Sequence, residues 1–220
     1  MKISKSQIDQ LGNRLRQSSL SDADLKILDD YRKSFSEAYE EVVRKIREKL
    51  KLEPTGRPAK STTAIVEKLH RESIRLSQMQ DIAGCRIVVR DIQKQDSVVK
   101  KLREIFTSAS VMDRRVKPSH GYRAVHIIIN NLNKAIEVQI RTELQHGWSE
   151  FSEKLSDKID PAIKYGGGSK ETQKMLYGIS ILINNYEGIE INIQDKKSRK
   201  RLSSLRKEIA NLIKQHSKLF

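Results

Sequence analysis

The chain has 220 residues, a length that suits one domain, or one domain with an appended helical part, and that can bury a core without disulfides. Its single cysteine, Cys85, excludes an internal disulfide and any cysteine-cluster zinc site. A formal net charge of +15 favours polyanionic partners such as nucleotides, RNA, DNA or an acidic protein. No apolar run approaches the length of a membrane span, and Met1-Lys2-Ile3-Ser4 opens no apolar signal core. The expectation is a cytoplasmic protein with no membrane partner.

In chain order, Ile8, Leu11 and Leu15 recur at helical spacing between Ser4 and Gln17. Ser18-Ser19-Leu20-Ser21-Asp22 reads as a break with a cap. A long helix is then predicted through Leu25, Leu28, Tyr31, Phe35, Tyr39, Val42, Ile46 and Leu50, ended by Pro54-Thr55-Gly56. Arg57 to Thr63 reads as a basic loop entering a helix with Ile65, Val66 and Leu69. A strand follows Gly84, a helix runs from Gln95 to Ser108, and Val111-Met112 forms a short strand. Gly121 to Ile129 is a strand joined by the Asn130–Lys134 hairpin to its antiparallel neighbour. That neighbour alternates strictly: Ile136, Val138 and Ile140 face one way, and Glu137, Gln139 and Arg141 the other. Thr142 reads as a helix N-cap with Gln145 as its capping-box partner. Pro161 and Gly166-Gly167-Gly168 mark a passage to two last helices. Their inward rows are Leu176, Ile179, Leu182, Ile183 and Tyr186, then Leu202, Leu205, Ile209, Leu212 and Leu219. The fold class is α+β, a small mixed sheet flanked by helices. The expected divisions are an N-terminal helical extension 1–54, a core 55–160 and a C-terminal helical extension 161–220.

Asp81 enters one strand and Glu137 sits on the polar face of another, among Arg57, Lys60, Lys68, Arg86 and Arg141. Few acids among many bases suit Mg²⁺ with a polyphosphate, because the metal needs one or two carboxylates and takes its other oxygens from phosphates and water. The cations neutralise charge developing on phosphate oxygens. The plain alternative is a set of acids paired with neighbouring bases.

Four motifs occur in order: Gly56-Arg57-Pro58-Ala59-Lys60-Ser61, Asp81-Ile82-Ala83-Gly84-Cys85-Arg86, Gly121-Tyr122-Arg123-Ala124-Val125-His126 and Glu137-Val138-Gln139-Ile140-Arg141-Thr142. Together, over roughly residues 55 to 155, they resemble the synthetase domain of the RelA/SpoT family. The resemblance implies a nucleotidyltransferase-like core and a small single-domain pyrophosphokinase, which moves pyrophosphate from ATP to a ribose 3′-hydroxyl. It implies that Arg57 and Arg86 sandwich the adenine, that Lys60, Ser61 and Lys68 hold phosphates, and that Asp81 and Glu137 are catalytic and bind Mg²⁺. Glu137 would also act as general base. Tyr122 would stack on the acceptor base, with His126 and Arg141 near the transferred group. Trp148 and Phe151 read as core.

The sequence departs from the family on the acceptor side. Where alarmone makers carry Asn before the Gly-Tyr pair, this chain has His120, and the helix after Trp148 lacks the usual Glu-His pair. Gly-Tyr-Arg-Ala-Val-His, followed by Arg-Thr-Glu-Leu-Gln-His and a Trp, resembles the toxic branch of small synthetases, which is paired with antitoxins. The implied acceptor is the 3′-CCA end of tRNA, with translation as the target. A (p)ppGpp or (p)ppApp synthetase acting on free guanosine or adenosine nucleotides is the alternative. A catalytically silent RNA- or antitoxin-binding module is the third reading. Lys45, Arg47, Lys49, Lys197, Arg199, Lys200 and Arg201 are candidates for guiding tRNA or an antitoxin. Oligomerisation is left open.

Overall fold

The computed structural model describes residues 3–17, 20–193 and 195–216, and of Lys196, Arg199 and His216 the backbone alone. The fold is a mixed α+β arrangement with a five-stranded sheet flanked by helices. Helices α1 (Lys5–Arg16), α2 (Asp22–Lys33) and α3 (Ser36–Leu50) precede strand β1 (Thr55–Arg57) and α4 (Thr62–Arg71). Then come β2 (Ala83–Val89), α5 (Ile92–Ile105), β3 (Ser110–Asp113), β4 (Val125–Asn131) and β5 (Lys134–Thr142). Helices α6 (Glu143–Lys158), α7 (Lys170–Asn192) and α8 (Lys196–His216) complete the chain. The strand order is β1-β2-β5-β4-β3.

Two compact units interleave along the sequence. The first takes Met1–Ile87, Leu102–Ser110 and Ile127–Gln139; the second takes Val88–Lys101, Val111–His126 and Ile140–Phe220. In the first, α1 packs on α2 and α4. Leu11, Leu15, Leu28, Ile65, Leu69 and Leu76 are fully buried there. In the second, α6 packs on α7 and α8 around Leu144, Trp148, Phe151, Leu155, Leu176 and Ile183. Trp148 and Phe151 are core, as expected.

Several expectations need correction. The long helix over residues 25–50 is two helices. Ser34 Oγ donates to the Tyr31 carbonyl at 2.6 Å, taking an acceptor that the helix ladder needs. The hydrophobic stripe nonetheless runs through the break, because Tyr31 and Phe35 stay buried and meet edge to face at 5.3 Å. Thr55-Gly56-Arg57 is a strand rather than a helix end; Lys51, in a left-handed conformation, closes α3 instead. Helix α5 starts at Ile92, three residues early, because the Asp91 carboxylate accepts from the Lys94 amide at 2.8 Å. Strand β4 starts at Val125, since Gly121 and Tyr122 belong to a turn. Leu182, Leu205 and Leu212 face solvent, while Ser180, Glu187 and Arg206 are buried in those helices. Leu219 and the Ser18-Ser19 break lie outside the described residues.

The hairpin and capping expectations hold. Leu132 and Asn133 both have positive φ (47° and 59°), the signature of a two-residue link between antiparallel strands. Thr142 and Gln145 form the capping box of α6. On β5, Ile136, Val138 and Ile140 are fully buried and alternate with Glu137 and Gln139.

Candidate active site

The first unit gathers the residues expected on the ATP side. Strand β1 pairs antiparallel with β2, and Arg57 stands opposite Gly84. Directly opposed residues share a face of the sheet. On the other side of β2 lies β5, where a Cβ built on Gly84 would come 2.7 Å from the Glu137 carbonyl oxygen and 3.3 Å from its Cβ. Arg57, Gly84 and Glu137 therefore form a row across three strands, roughly 10 Å from end to end at about 4.8 Å per strand. The missing side chain at Gly84 lets β5 come this close, because a Cβ there would collide with the Glu137 carbonyl oxygen. Arg86 lies two residues along β2 on the same face, and Thr55, not Arg57, is its direct partner. Arg57 and Arg86 are thus diagonal neighbours, about 7–8 Å apart and somewhat less at Cβ. That is close to the width a stacked base needs between two planar groups.

Asp81 precedes β2 and collects two cations. Lys60 Nζ pairs with its Oδ2 in a short contact, and Lys68 Nζ lies 2.9 Å from Oδ1. Burial pushes the Asp81 carboxyl up, but the two ammoniums outweigh it and hold it below the usual carboxylate range. The loop carrying Lys60 is fixed from both sides. Its amide donates to the Ile82 carbonyl at 2.6 Å, and Arg32 Nε donates to the Lys60 carbonyl at 2.7 Å. Ser61 is the N-cap of α4, its hydroxyl accepting from the Ala64 amide at 3.3 Å, so its position coincides with the positive end of a helix dipole. Glu137 Oε2 accepts from Gln139 Nε2 at 2.7 Å, which orients the carboxylate along its own strand.

Asp81 thus stands in the turn leading into β2, and Glu137 on β5, the strand beside β2. No group of three or more His, Cys, Asp or Glu able to hold a metal lies among the described residues. Two carboxylates without a third protein ligand suit Mg²⁺, which keeps waters and phosphate oxygens, better than a zinc-type site.

The second unit brings together Tyr122, His126 and Arg141. Arg141 Nη2 donates to the Tyr122 hydroxyl at 3.1 Å, and that hydroxyl lies 2.9 Å from His126 Nε2. The Arg141 guanidinium also sits 5.0 Å from the Tyr122 ring centre, and the Tyr122 and His126 rings meet edge to face. His126 and Arg141 are buried and Tyr122 is half-buried.

The turn before Tyr122 explains one departure from the family pattern. Ser119 and Tyr122 bridge around His120 and Gly121, whose φ values are 51° and 87°. Asn enters that left-handed region readily, and His is among the few other residues that do. His120 therefore preserves the turn while presenting an exposed imidazole, which lies against Gly166.

Sequence reasoning missed the residues that hold this side in place. Buried Ser180 of α7 donates to the Gly121 carbonyl at 2.6 Å and accepts from Arg123 Nε at 3.0 Å. Seven residues on, buried Glu187 accepts from Gln145 Nε2 at 2.9 Å and from the Thr142 hydroxyl. Trp148 Nε1 donates to the Leu176 carbonyl at 2.8 Å. One inward row of α7 thus fastens both the residue before Tyr122 and the residue after Arg141. The available signal was weak: a serine and a glutamate at i and i+7, on the row they share with Leu176 and Ile183.

Of the basic residues expected to guide a partner, Lys45 pairs with Glu41 and Arg47 with Glu53. Lys49, Lys197, Lys200 and Arg201 are exposed, and the Arg199 side chain is outside the description. No described helix is long and apolar enough to cross a membrane.

Residues 56–160 match the family model described as the region found in RelA / SpoT proteins. Uncharacterized proteins of Mycobacterium tuberculosis and Mycobacterium bovis are 35% identical over 111 residues, which is 49% of this chain and 41% of theirs. The chain spans about two fifths of the length of these curated relatives. Among solved structures, small alarmone synthetase 1 of Bacillus subtilis bound to its product pppGpp superposes with a TM-score of 0.55 at 23% identity, covering 84% of this chain and 97% of that one. A Streptococcus mutans protein superposes with a TM-score of 0.54 at 26% identity, covering 80% of this chain and 98% of that one.

Proposed function

We propose, for a chain whose residues 56–160 belong to the RelA/SpoT family, an ATP-dependent pyrophosphokinase that transfers pyrophosphate to a ribose 3′-hydroxyl. The observation that carries this reading is the convergence of Lys60 and Lys68 on Asp81, in the same unit as the row Arg57–Gly84–Glu137. In this reading Arg57 and Arg86 stack on the two faces of the adenine, for which planar guanidiniums are suited. Lys60, Lys68 and the Ser61 end of α4 hold the phosphates. Asp81 and Glu137 would hold Mg²⁺, which when bound offsets negative charge on the phosphate oxygens. The acceptor oxygen bonds to the β-phosphorus of ATP, the bridging bond between the α- and β-phosphates breaks, and AMP leaves. Glu137, aligned by Gln139, takes the hydroxyl proton. Tyr122 stacks on the acceptor base, and His126 and Arg141 bind near the group transferred.

The acceptor we propose is the 3′-terminal adenosine of tRNA, which makes the protein a translation-blocking toxin with an antitoxin protein as its partner. The supports are the net charge of +15, suited to many phosphate contacts, and the His120 turn in place of the Asn of guanosine users. The second reading is a free guanosine or adenosine nucleotide, (p)ppGpp or (p)ppApp being the product. Its support is that Tyr122, His126 and Arg141 offer one aromatic face, enough for a single nucleoside. ATP carrying label in its terminal phosphates, offered deacylated tRNA, GDP, GTP and AMP in competition, separates the two. Label on the tRNA 3′ end supports the first reading; label on the free nucleotides with none on tRNA rejects it.

A further inference from the structure

Helix α5 turns Ile92, Gln95 and Val98 inward, and all three are buried. The middle one is an amide, fully buried where helical spacing alone would place an aliphatic side chain. Burying an amide costs free energy unless its donors and its acceptor are met. At Gln95 they are. Nε2 donates to the Ile140 carbonyl at 2.7 Å and to Gln145 Oε1 at 2.9 Å, and Oε1 accepts from Arg115 Nη1 at 3.2 Å. A carbonyl only accepts and a guanidinium only donates, so Ile140 and Arg115 fix which way the amide points. The orientation passes on. Gln145 offers its oxygen to Gln95, which leaves its Nε2 for Glu187 at 2.9 Å. A carboxylate, which only accepts, or an ammonium, which only donates, could not serve at position 95.

Traced outward, these bonds close a ring through the residues expected on the acceptor side. Arg115 reaches Gln95 with its side chain, and its carbonyl accepts from Arg123 Nη1. Arg123 follows Tyr122, whose hydroxyl accepts from Arg141 Nη2 at 3.1 Å. Arg141 follows Ile140, whose carbonyl Gln95 holds. Arg115 is itself pinned, with Nη2 2.6 Å from Asp113 Oδ2 and Nη1 2.7 Å from Asp96 Oδ1. One side chain of α5 thus ties the loop before Tyr122 and the strand before Arg141 to a single helix.

We propose that Gln95 is a positioning residue for the acceptor. Fully buried, it cannot touch substrate; it sets how the Arg141 guanidinium sits against the Tyr122 ring, 5.0 Å from its centre. The proposal rests on the acceptor role given above to Tyr122 and Arg141. Every member of the ring belongs to the second unit, whereas Asp81 and its lysines belong to the first, so the effect of cutting the ring is confined to the acceptor half.

Transfer from ATP is measured with whichever of tRNA, GDP, GTP and AMP the parent labels best. Gln95→Met keeps the length and removes all three bonds, and is expected to raise the acceptor KM about tenfold while the ATP KM stays within about twofold. Arg115→Met opens the same ring at a half-buried site, where folding is less at risk, and the same selective rise is expected. A ring cut once is already open. The double variant is therefore expected to match the larger single effect rather than multiply the two. A side chain that only packs would lower Tm and leave the two KM values moving together. Should Gln95→Met fail to fold, the KM split in Arg115→Met decides alone. An equal change in both KM values, an unchanged acceptor KM in either folded single variant, or multiplied effects in the double variant would each overturn the inference while transfer by the parent stands. A parent that transfers to no acceptor would overturn the proposed function, and this inference with it.

Discussion

Asp81 and Glu187 are both carboxylates removed from water, and burial ends in opposite directions at the two. Around Asp81, in the first unit, burial is outweighed by the ammoniums of Lys60 and Lys68, and the group stays charged to unusually low pH. Around Glu187, in the second unit, burial dominates. The donors are mostly neutral, Thr142 and Gln145, and with some help from Arg206 they reduce the upward shift without cancelling it. The first region is built from opposed full charges suited to a polyphosphate and a cation. The second is built mainly from neutral hydrogen bonds, an aromatic ring, an imidazole and the buried guanidiniums of Arg141 and Arg206, suited to a nucleoside. The contrast teaches that the donor and acceptor halves of the proposed reaction rest on different physics and should fail differently when perturbed.

The largest expected effect lies in the first region. Glu137→Gln removes the proposed base while keeping side-chain shape, and kcat should fall about 10³-fold with every acceptor, by a coupled assay of AMP release. Asp81→Asn leaves Lys60 and Lys68 without their shared carboxylate, and kcat/KM for ATP should fall about 10²-fold, with the acceptor KM little changed. Tyr122→Phe tests the second region. It deletes the hydroxyl between Arg141 and His126 and should raise the acceptor KM about tenfold while leaving the KM for ATP in place. An equal rise in both constants would dissolve the comparison.

The smallest effect is on stability against pH, and its sign differs between the units. Asp81 has a folded pKa below its ordinary 3.8, so its contribution is present above that pH and lost as pH falls through the folded value. Glu187 has a folded pKa above its ordinary 4.5, so its contribution is present below that pH and lost as pH rises through the raised value. Urea titrations at a series of pH values should show that Asp81→Asn flattens the acid limb alone. Glu187→Gln should flatten only the limb above pH 4.5.

Much of the first region was legible in the sequence because its parts are local. The alternation of Ile136 and Val138 fixed the faces of β5 there, and across the boundary Thr142 with Gln145 announced α6 of the second region. What escaped notice there was held by pairing rather than by pattern. Thr55-Gly56-Arg57 is too short to show a period and is a strand only because β2 lies beside it. Arg32 reaches Lys60 across 28 positions of sequence. In the second region, the helical period placed Leu182, Leu205 and Leu212 inward. Tertiary packing instead buries Ser180, Glu187 and Arg206, whose hydrogen bonds and ion pairs compensate their burial. Polar residues inside a helix carry no sequence signal of which partner they await. Tyr122, His126 and Arg141 were expected near one another, but the hydroxyl that joins them emerges only from the fold.

The most direct test of the central claim counts phosphorus. The protein is given ATP labelled in both its β- and γ-phosphates, an acceptor and Mg²⁺, and the products are resolved by chromatography. The account predicts that each acceptor gains both labelled phosphates while one unlabelled AMP appears per transfer, and that Glu137→Gln abolishes both together. Release of a single labelled phosphate with ADP, or ATP left untouched with every acceptor offered, would contradict it.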